Sequence, residues 1–124
     1  MNTSKVRAII SWVLTSLLAL GYLAAAIGKL TGAATRMFAH WGYPAWFATL
    51  IGVFEFAGAI GLLIPKTTRY AVLGLTVIMC GAIYTHLASH EGLQVLRPVI
   101  FLVILWTVWL LRRSHNTISH PAAA

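Results

Sequence analysis

Four stretches of this chain are long, apolar and almost free of charge, with short polar segments between them. Residues 8–28 contain no Asp, Glu, Lys or Arg, residues 45–64 contain only Glu55, and residues 70–88 again contain none. An α-helix rises about 1.5 Å per residue and the hydrocarbon core of a bilayer is about 30 Å thick, so about 20 apolar residues cross it. The fourth stretch ends at Leu111, before Arg112 and Arg113. Residues 99–111 alone would give only about 20 Å of helix. The span must therefore begin near Leu93 and carry Arg97 and Pro98 in its first turns. A proline is tolerated there because the first N–H groups of a helix have no intrahelical acceptor. The pattern predicts spans over residues 8–28, 45–64, 70–88 and 93–111. The fold class is an all-α integral membrane four-helix bundle, one domain over residues 1–113.

The link between the first two spans has its own signal. Met37, Phe38 and Trp41 recur at i, i+1 and i+4, and Gly42 followed by Pro44 supplies a helix stop. This predicts a short interfacial helix roofing the bundle between helices 1 and 2; a loop anchored by its aromatic rings in the head groups is the alternative. Lys5 and Arg7 ahead of an apolar run, with Ala24, Ala25 and Ala26 behind it, imitate a signal peptide. The run exceeds the usual h-region of about 7–15 residues, so it reads as a retained first helix. Residues 114–124 read as a disordered cytoplasmic tail.

Composition agrees with the pattern and adds a direction. Of the 124 residues 60% are hydrophobic and 9% are charged, against roughly 25% charged in soluble domains. The net charge of +7 would suggest nucleic acid in a soluble protein. Here the cations stand at the ends of apolar runs, where anionic head groups and the positive-inside bias account for them, and no nucleic-acid partner is expected. With the N-terminus inside, Lys5, Arg7, Lys66, Arg69, Arg112 and Arg113 lie in the cytoplasm, and Lys29, Arg36 and Arg97 lie outside. That bias predicts cytoplasmic N- and C-termini. The single cysteine, Cys80, excludes an intrachain disulfide and reads as a small core residue.

Glu55 carries the most information. An acid near the middle of a span costs on the order of 3 kcal/mol or more in lipid, so it must face the bundle interior, a partner or water. Ala48, Gly52, Gly58, Ala59 and Leu62 share its face at helical spacing, and such small residues let another helix approach. Depth along straight helices puts Arg97 and His86 nearest to it, with Lys29 reaching it only if its helix tilts. Glu55 either works in a polar pocket or pins helices together as a salt bridge. His86 and His90, at i, i+4, are spaced to share one metal or haem, to hydrogen-bond a ligand, or to rest in the interface. His40 from the roof, Glu91 beside His90, and Tyr84 near the level of Glu55 complete the candidate set. Apart from the cytoplasmic cations and the tail histidines, the ionisable residues Lys29, Arg36, His40, Glu55, His86, His90, Glu91 and Arg97 all fall in the outer half. A polar pocket in that half is the simplest reading.

Several of these segments resemble the DoxX-like family of small bacterial membrane proteins. They are Gly28-Lys29-Leu30 with Gly32, Gly52-Val53-Phe54-Glu55 through Gly58-Ala59-Ile60-Gly61-Leu62-Leu63-Ile64-Pro65, Arg69, and the stretch from Met79 to His86-Leu87. The resemblance covers roughly residues 18–111. It implies a four-helix bundle in the bacterial inner membrane, with members linked to quinone-coupled thiosulfate oxidation and to assemblies with oxidative-stress enzymes. Lys29, Glu55 and His86 match the recurring polar positions of that family.

Together these readings give the expectations carried into the structure. The pocket binds a small lipophilic ligand such as quinone, and the chain serves as a redox-associated subunit and forms a homo-oligomer. Glu55 and His86 would act on protons, while Lys29, Arg97, His40 and Tyr84 would bind the ligand. The alternatives are a stand-alone isomerase- or cyclase-type membrane enzyme, with haem or a metal on His86 and His90, and a structural subunit that recruits a partner.

Overall fold

The structure is a computed structural model describing residues 2–119, with side chains described for residues 2–113. Among these residues it is all helical: α1 (Thr3–Leu30), the short α2 (Thr35–His40), α3 (Ala45–Leu63), α4 (Thr68–Ala88), a 3-10 turn (Gly92–Val95) and α5 (Leu96–Ser119). Four segments, α1, α3, α4 and Gly92–Arg113, are long and apolar enough to cross a membrane. α1 packs on α3 and α5, and α4 packs on the same two, so the four long helices close into an up-down-up-down bundle. Side chains such as Leu17, Leu20, Leu73, Val77, Val103 and Leu110 face outward, as lipid requires.

Two spans are longer than the apolar pattern suggested. α1 begins at Thr3, where the Asn2 side chain accepts a hydrogen bond from the Lys5 backbone N–H at 2.8 Å. A helix cap works through any polar medium, so Lys5 and Arg7 extend the helix beyond the hydrocarbon instead of ending it. The fourth span starts as a 3-10 turn at Gly92 and becomes α-helical at Leu96, which carries Arg97 and Pro98 in the first α turn as their spacing predicted. α5 continues past Arg113 to Ser119. Of the tail expected to be disordered, residues 120–124 lie outside the described residues.

The core runs along the bundle axis through Leu18, Tyr22, Leu62, Leu75, Leu105 and Val108. α3 buries Ala48, Gly52, Glu55, Ala59 and Leu62, the face that the spacing of small residues marked. Gly52 is where α1 crosses it. A Cβ on Gly52 would stand 3.0 Å from Lys29 Cβ, 3.1 Å from Leu30 Cγ and 3.2 Å from the Ala26 carbonyl oxygen. Without that Cβ the two backbones approach closely, which is how membrane helices gain packing energy.

The ends of the bundle are closed differently. At the α3 C-terminus the carbonyls left free by the helix end are taken by Arg112 Nη1 on Leu62 at 2.7 Å and by Thr67 Oγ1 on Gly61 at 2.9 Å. The Arg112 guanidinium also lies 4.5 Å from the Trp12 ring centre, so one side chain ties α1, α3 and α5. At the other end α2 forms the predicted roof: Gly42 ends it at φ +89°, and Phe38 is buried beneath it.

The crossing at Gly52 makes a direct prediction. Gly52→Ala should destabilise the bundle by about 1–3 kcal/mol, since backbone and packed side chains must shift. Gly74→Ala, where a Cβ meets nothing within 4 Å, should leave stability unchanged or raise it by up to about 1 kcal/mol. Unfolding by SDS titration from mild detergent separates the two, and equal effects would contradict the close crossing.

Candidate functional site

A cavity of about 570 Å³ lies under the roof, lined by residues of all four long helices. Its walls are mostly apolar, from Ala24, Ala25, Ile51, Ile78 and Ala82. Its ceiling is aromatic: Phe38 packs against Trp41 at 5.2 Å, Tyr43 at 5.9 Å and Phe47 at 6.1 Å between ring centres. The polar residues on its surface are Tyr22, Lys29, Glu55, Thr85, His86 and Arg97, with Gln94 beside the last.

Glu55 is 2% exposed and turned into the bundle, as its membrane depth demanded. Its partner is Lys29, whose Nζ stands 2.7 Å from Glu55 Oε1. The depth argument had favoured Arg97 or His86, and the structure overturns it. Lys29 Cβ sits at Gly52, one turn above Glu55, so the lysine stem descends past the missing Cβ. At that distance the Lys29 ammonium is a charge-assisted partner for Oε1. The Tyr22 hydroxyl, with its residue fully buried, lacks a hydrogen-bond partner.

His86 turns instead to Glu91. Its Nδ1 lies 3.0 Å from Glu91 Oε1, and the Trp41 indole N–H donates to the same oxygen at 2.8 Å. A carboxylate oxygen only accepts, so Nδ1 carries the proton of that bond and a neutral His86 keeps Nε2 as an acceptor. The Trp41 and His86 rings also meet edge to face at 5.2 Å. A second tie joins Tyr43 and Thr85, oxygen to oxygen, at 2.7 Å. Thr85 spends its proton on the Gly81 carbonyl at 2.9 Å, so Tyr43 is the donor. Both ties run from the roof to the end of α4 and latch it over the cavity.

The remaining candidates divide. Arg97 lines the cavity but is itself exposed and has no recorded contact with Glu55. His40 is exposed and lies outside the cavity lining. Tyr84, at 69% exposure, faces away from the bundle. It stands two residues from Ala82, about 200° around the helix from the cavity face. Cys80 is likewise exposed and not a core residue. His90 does not join His86: α4 ends at Ala88, and His90 has φ +57°, so helical spacing no longer applies to it. Among the described residues no group of three His, Cys, Asp or Glu side chains is placed to hold a metal.

Sequence reasoning passed over Tyr22, Tyr43, Thr85 and the latching role of Glu91. Tyr22 precedes Lys29 by seven residues and so shares its face of α1, a signal that was available. For Glu91 the signal was economy: the chain has only two acidic residues, and each is spent on a tertiary contact.

The DoxX-like family profile matches residues 13–108, and the chain belongs to that family. A protein of Bacillus subtilis (strain 168), the uncharacterised YdgD, is 34% identical over 71 residues, a match covering 52% of this chain and 62% of that protein. No solved structure matches.

The latch has a testable acid limit. Glu91 lies between the spans, and the hydrogen bond from His86 holds its carboxyl below the ordinary carboxylate value; partial burial opposes this, and Trp41, with the charges of His86 and His40, adds to it. A value lowered by folding means that the latch is at full strength above the unfolded value of about 4.3 and is lost as pH falls through the lower folded one. Trp41 fluorescence should therefore change in acid below about pH 4, and Glu91→Gln should remove that transition. An identical transition in Glu91→Gln would contradict the assignment.

Proposed function

We propose that this DoxX-like protein holds a small lipophilic ligand in the roofed cavity, a quinone being the best fit, and acts as a redox-associated membrane subunit. The supporting observation is the cavity itself: about 570 Å³ of mostly apolar space, with an ion pair at one wall, inside a bundle built to cross a bilayer. Ligand sites commonly enclose roughly 300–1,000 Å³ with a few convergent polar groups. A flat ring would lie against Phe38, Tyr43, Phe47 and Phe101, and its oxygen atoms would meet the polar side chains among them.

The residues suit proton handling. Lys29 fixes the charge of Glu55, Glu55 holds or passes a proton, and His86 is oriented by Glu91 for a second hydrogen bond. A bound quinone would supply two-electron redox chemistry. Lys29, Glu55 and His86 move protons and not electrons, so in this reading the electrons pass to or from a partner enzyme. The same proposal places the chain in the bacterial inner membrane with cytoplasmic termini. Lys5, Arg7, Lys66, Arg69, Arg112 and Arg113 then gather at the inner end, and the roof faces outward.

Ala82 lies on the cavity face of α4 between Met79, Thr85 and His86. Ala82→Trp should fill the space and weaken binding of a decyl-substituted benzoquinone, in either redox form, at least tenfold in nanodiscs while leaving the thermal transition near that of the parent. Retained affinity in a folded Ala82→Trp protein would refute the cavity as the binding site.

A further inference from the structure

Val77 is 72% exposed and Gly81 is exposed as well, yet both line the cavity. Residues that face the outside and the cavity at once mark an edge where the wall is open. With Thr85 they form one column on α4, at i, i+4 and i+8, and Phe47 and Ile51 form a second column on α3. Thr85 sets these columns against each other, because its hydrogen bond with Tyr43, just ahead of α3, closes the gap at the roof end. Farther from the roof the two helices touch again, where a Cβ on Gly58 would stand 2.7 Å from Leu75 Cδ2. Between these closures a Cβ on Gly81 would meet nothing within 4 Å. Depth decides what the opening meets. Gly81 and Val77 stand about 10 Å and about 16 Å from Ala88 along α4, within a hydrocarbon core about 30 Å thick.

We infer that the cavity opens sideways into the hydrocarbon through a window between α3 and α4, and that its ligand is a tailed lipid. The ring enters the cavity, and the alkyl chain lies in the window among Phe47, Ile51, Val77 and Gly81. The inference rests on the reading that the cavity holds a lipophilic ligand, and adds how that ligand arrives and where its tail lies. A molecule with an alkyl chain partitions into lipid and so meets the bundle from the bilayer. Entry through the roof would break the ties at Glu91 and Tyr43 and draw the chain across the head groups. The side of α5 that meets α1 suits a tail poorly. Arg97, one turn from the Phe101 ring that packs at Gly21 of α1, is an exposed cation on the cavity edge there. The α3–α4 gap carries apolar side chains on both sides. Ile51 stands one turn from Glu55, so a short apolar path leads from the Lys29–Glu55 pair to the opening.

Photolabelling of the full chain in nanodiscs tests the window. The probe is a decyl-substituted benzoquinone with a diazirine midway along its chain, and the labelled residues are mapped by mass spectrometry. Label that excess unlabelled compound displaces should fall on Phe47, Ile51, Val77 or Gly81. Displaceable label on Ala24 and Gly28 would put the tail between α1 and α5, and on Ala33 and Met37 at the roof; either overturns the inference. So does label that is not displaced while the compound still binds, which puts the tail in bulk lipid. Gly81→Trp supplies an independent reading by closing the gap. It should weaken the decyl compound at least tenfold and leave a methyl-substituted benzoquinone, which has no tail to place, within about twofold of the parent. Unchanged decyl affinity, or an equal loss for both compounds, would overturn the window and leave the cavity standing as the binding site. Should Gly81→Trp not fold, the label map of the parent chain decides alone. Failure of both compounds to bind the parent would overturn the inference together with the reading beneath it.

Discussion

An acid buried in a membrane bundle has to be answered by a neighbour, and here the Lys29–Glu55 ion pair is that answer. Glu55 lies on the small-residue face of α3, where lipid contact would cost several kcal/mol. Lys29 reaches it only because α1 and α3 touch at Gly52, and their crossing needs the run of Ala48, Gly52 and Ala59. The pair therefore sets the contact between these two helices, and the cavity opens beside it. Glu55 lines that cavity together with Tyr22, whose buried hydroxyl has no hydrogen-bond partner.

The rest of the architecture protects that wall. Glu91, the second acid, draws Trp41 and His86 to one oxygen and so fastens the roof to α4. Tyr43 and Thr85 make the parallel tie. At the far end Arg112 binds the Leu62 carbonyl and covers Trp12, which fixes the splay of three helices without adding an acid. Backbone carbonyls and aromatic faces thus take the place of the counter-ions that a chain with nine Lys and Arg and two acids cannot supply.

Much of this was legible in the sequence. Charge-free runs near the length of a bilayer located the four spans, and the 3.6-residue repeat of small side chains around Glu55 located its buried face. The roof followed from Phe38 and Trp41 with the Gly42 stop. What failed were arguments that needed relative position. Depth counted along separate helices could not see the close crossing at Gly52 or the reach of a lysine stem, so Arg97 and His86 were favoured over Lys29. The i, i+4 rule was carried past the end of α4 to His90, where the backbone has already turned. Tyr84 was placed by depth alone, although its helical angle sets it opposite the cavity. Tyr43 and Thr85 depend on a contact between distant segments, which no local pattern announces.

The central claim is that Lys29 and Glu55 act as one unit that holds α1 on α3. A double-mutant cycle with Lys29→Met, Glu55→Gln and the combined variant, read by unfolding in lipid nanodiscs, tests it most directly. Lys29→Met alone should cost about 3–5 kcal/mol by stranding the acid, and adding Glu55→Gln should return most of that loss. Additive effects, with no recovery in the double variant, would contradict the account.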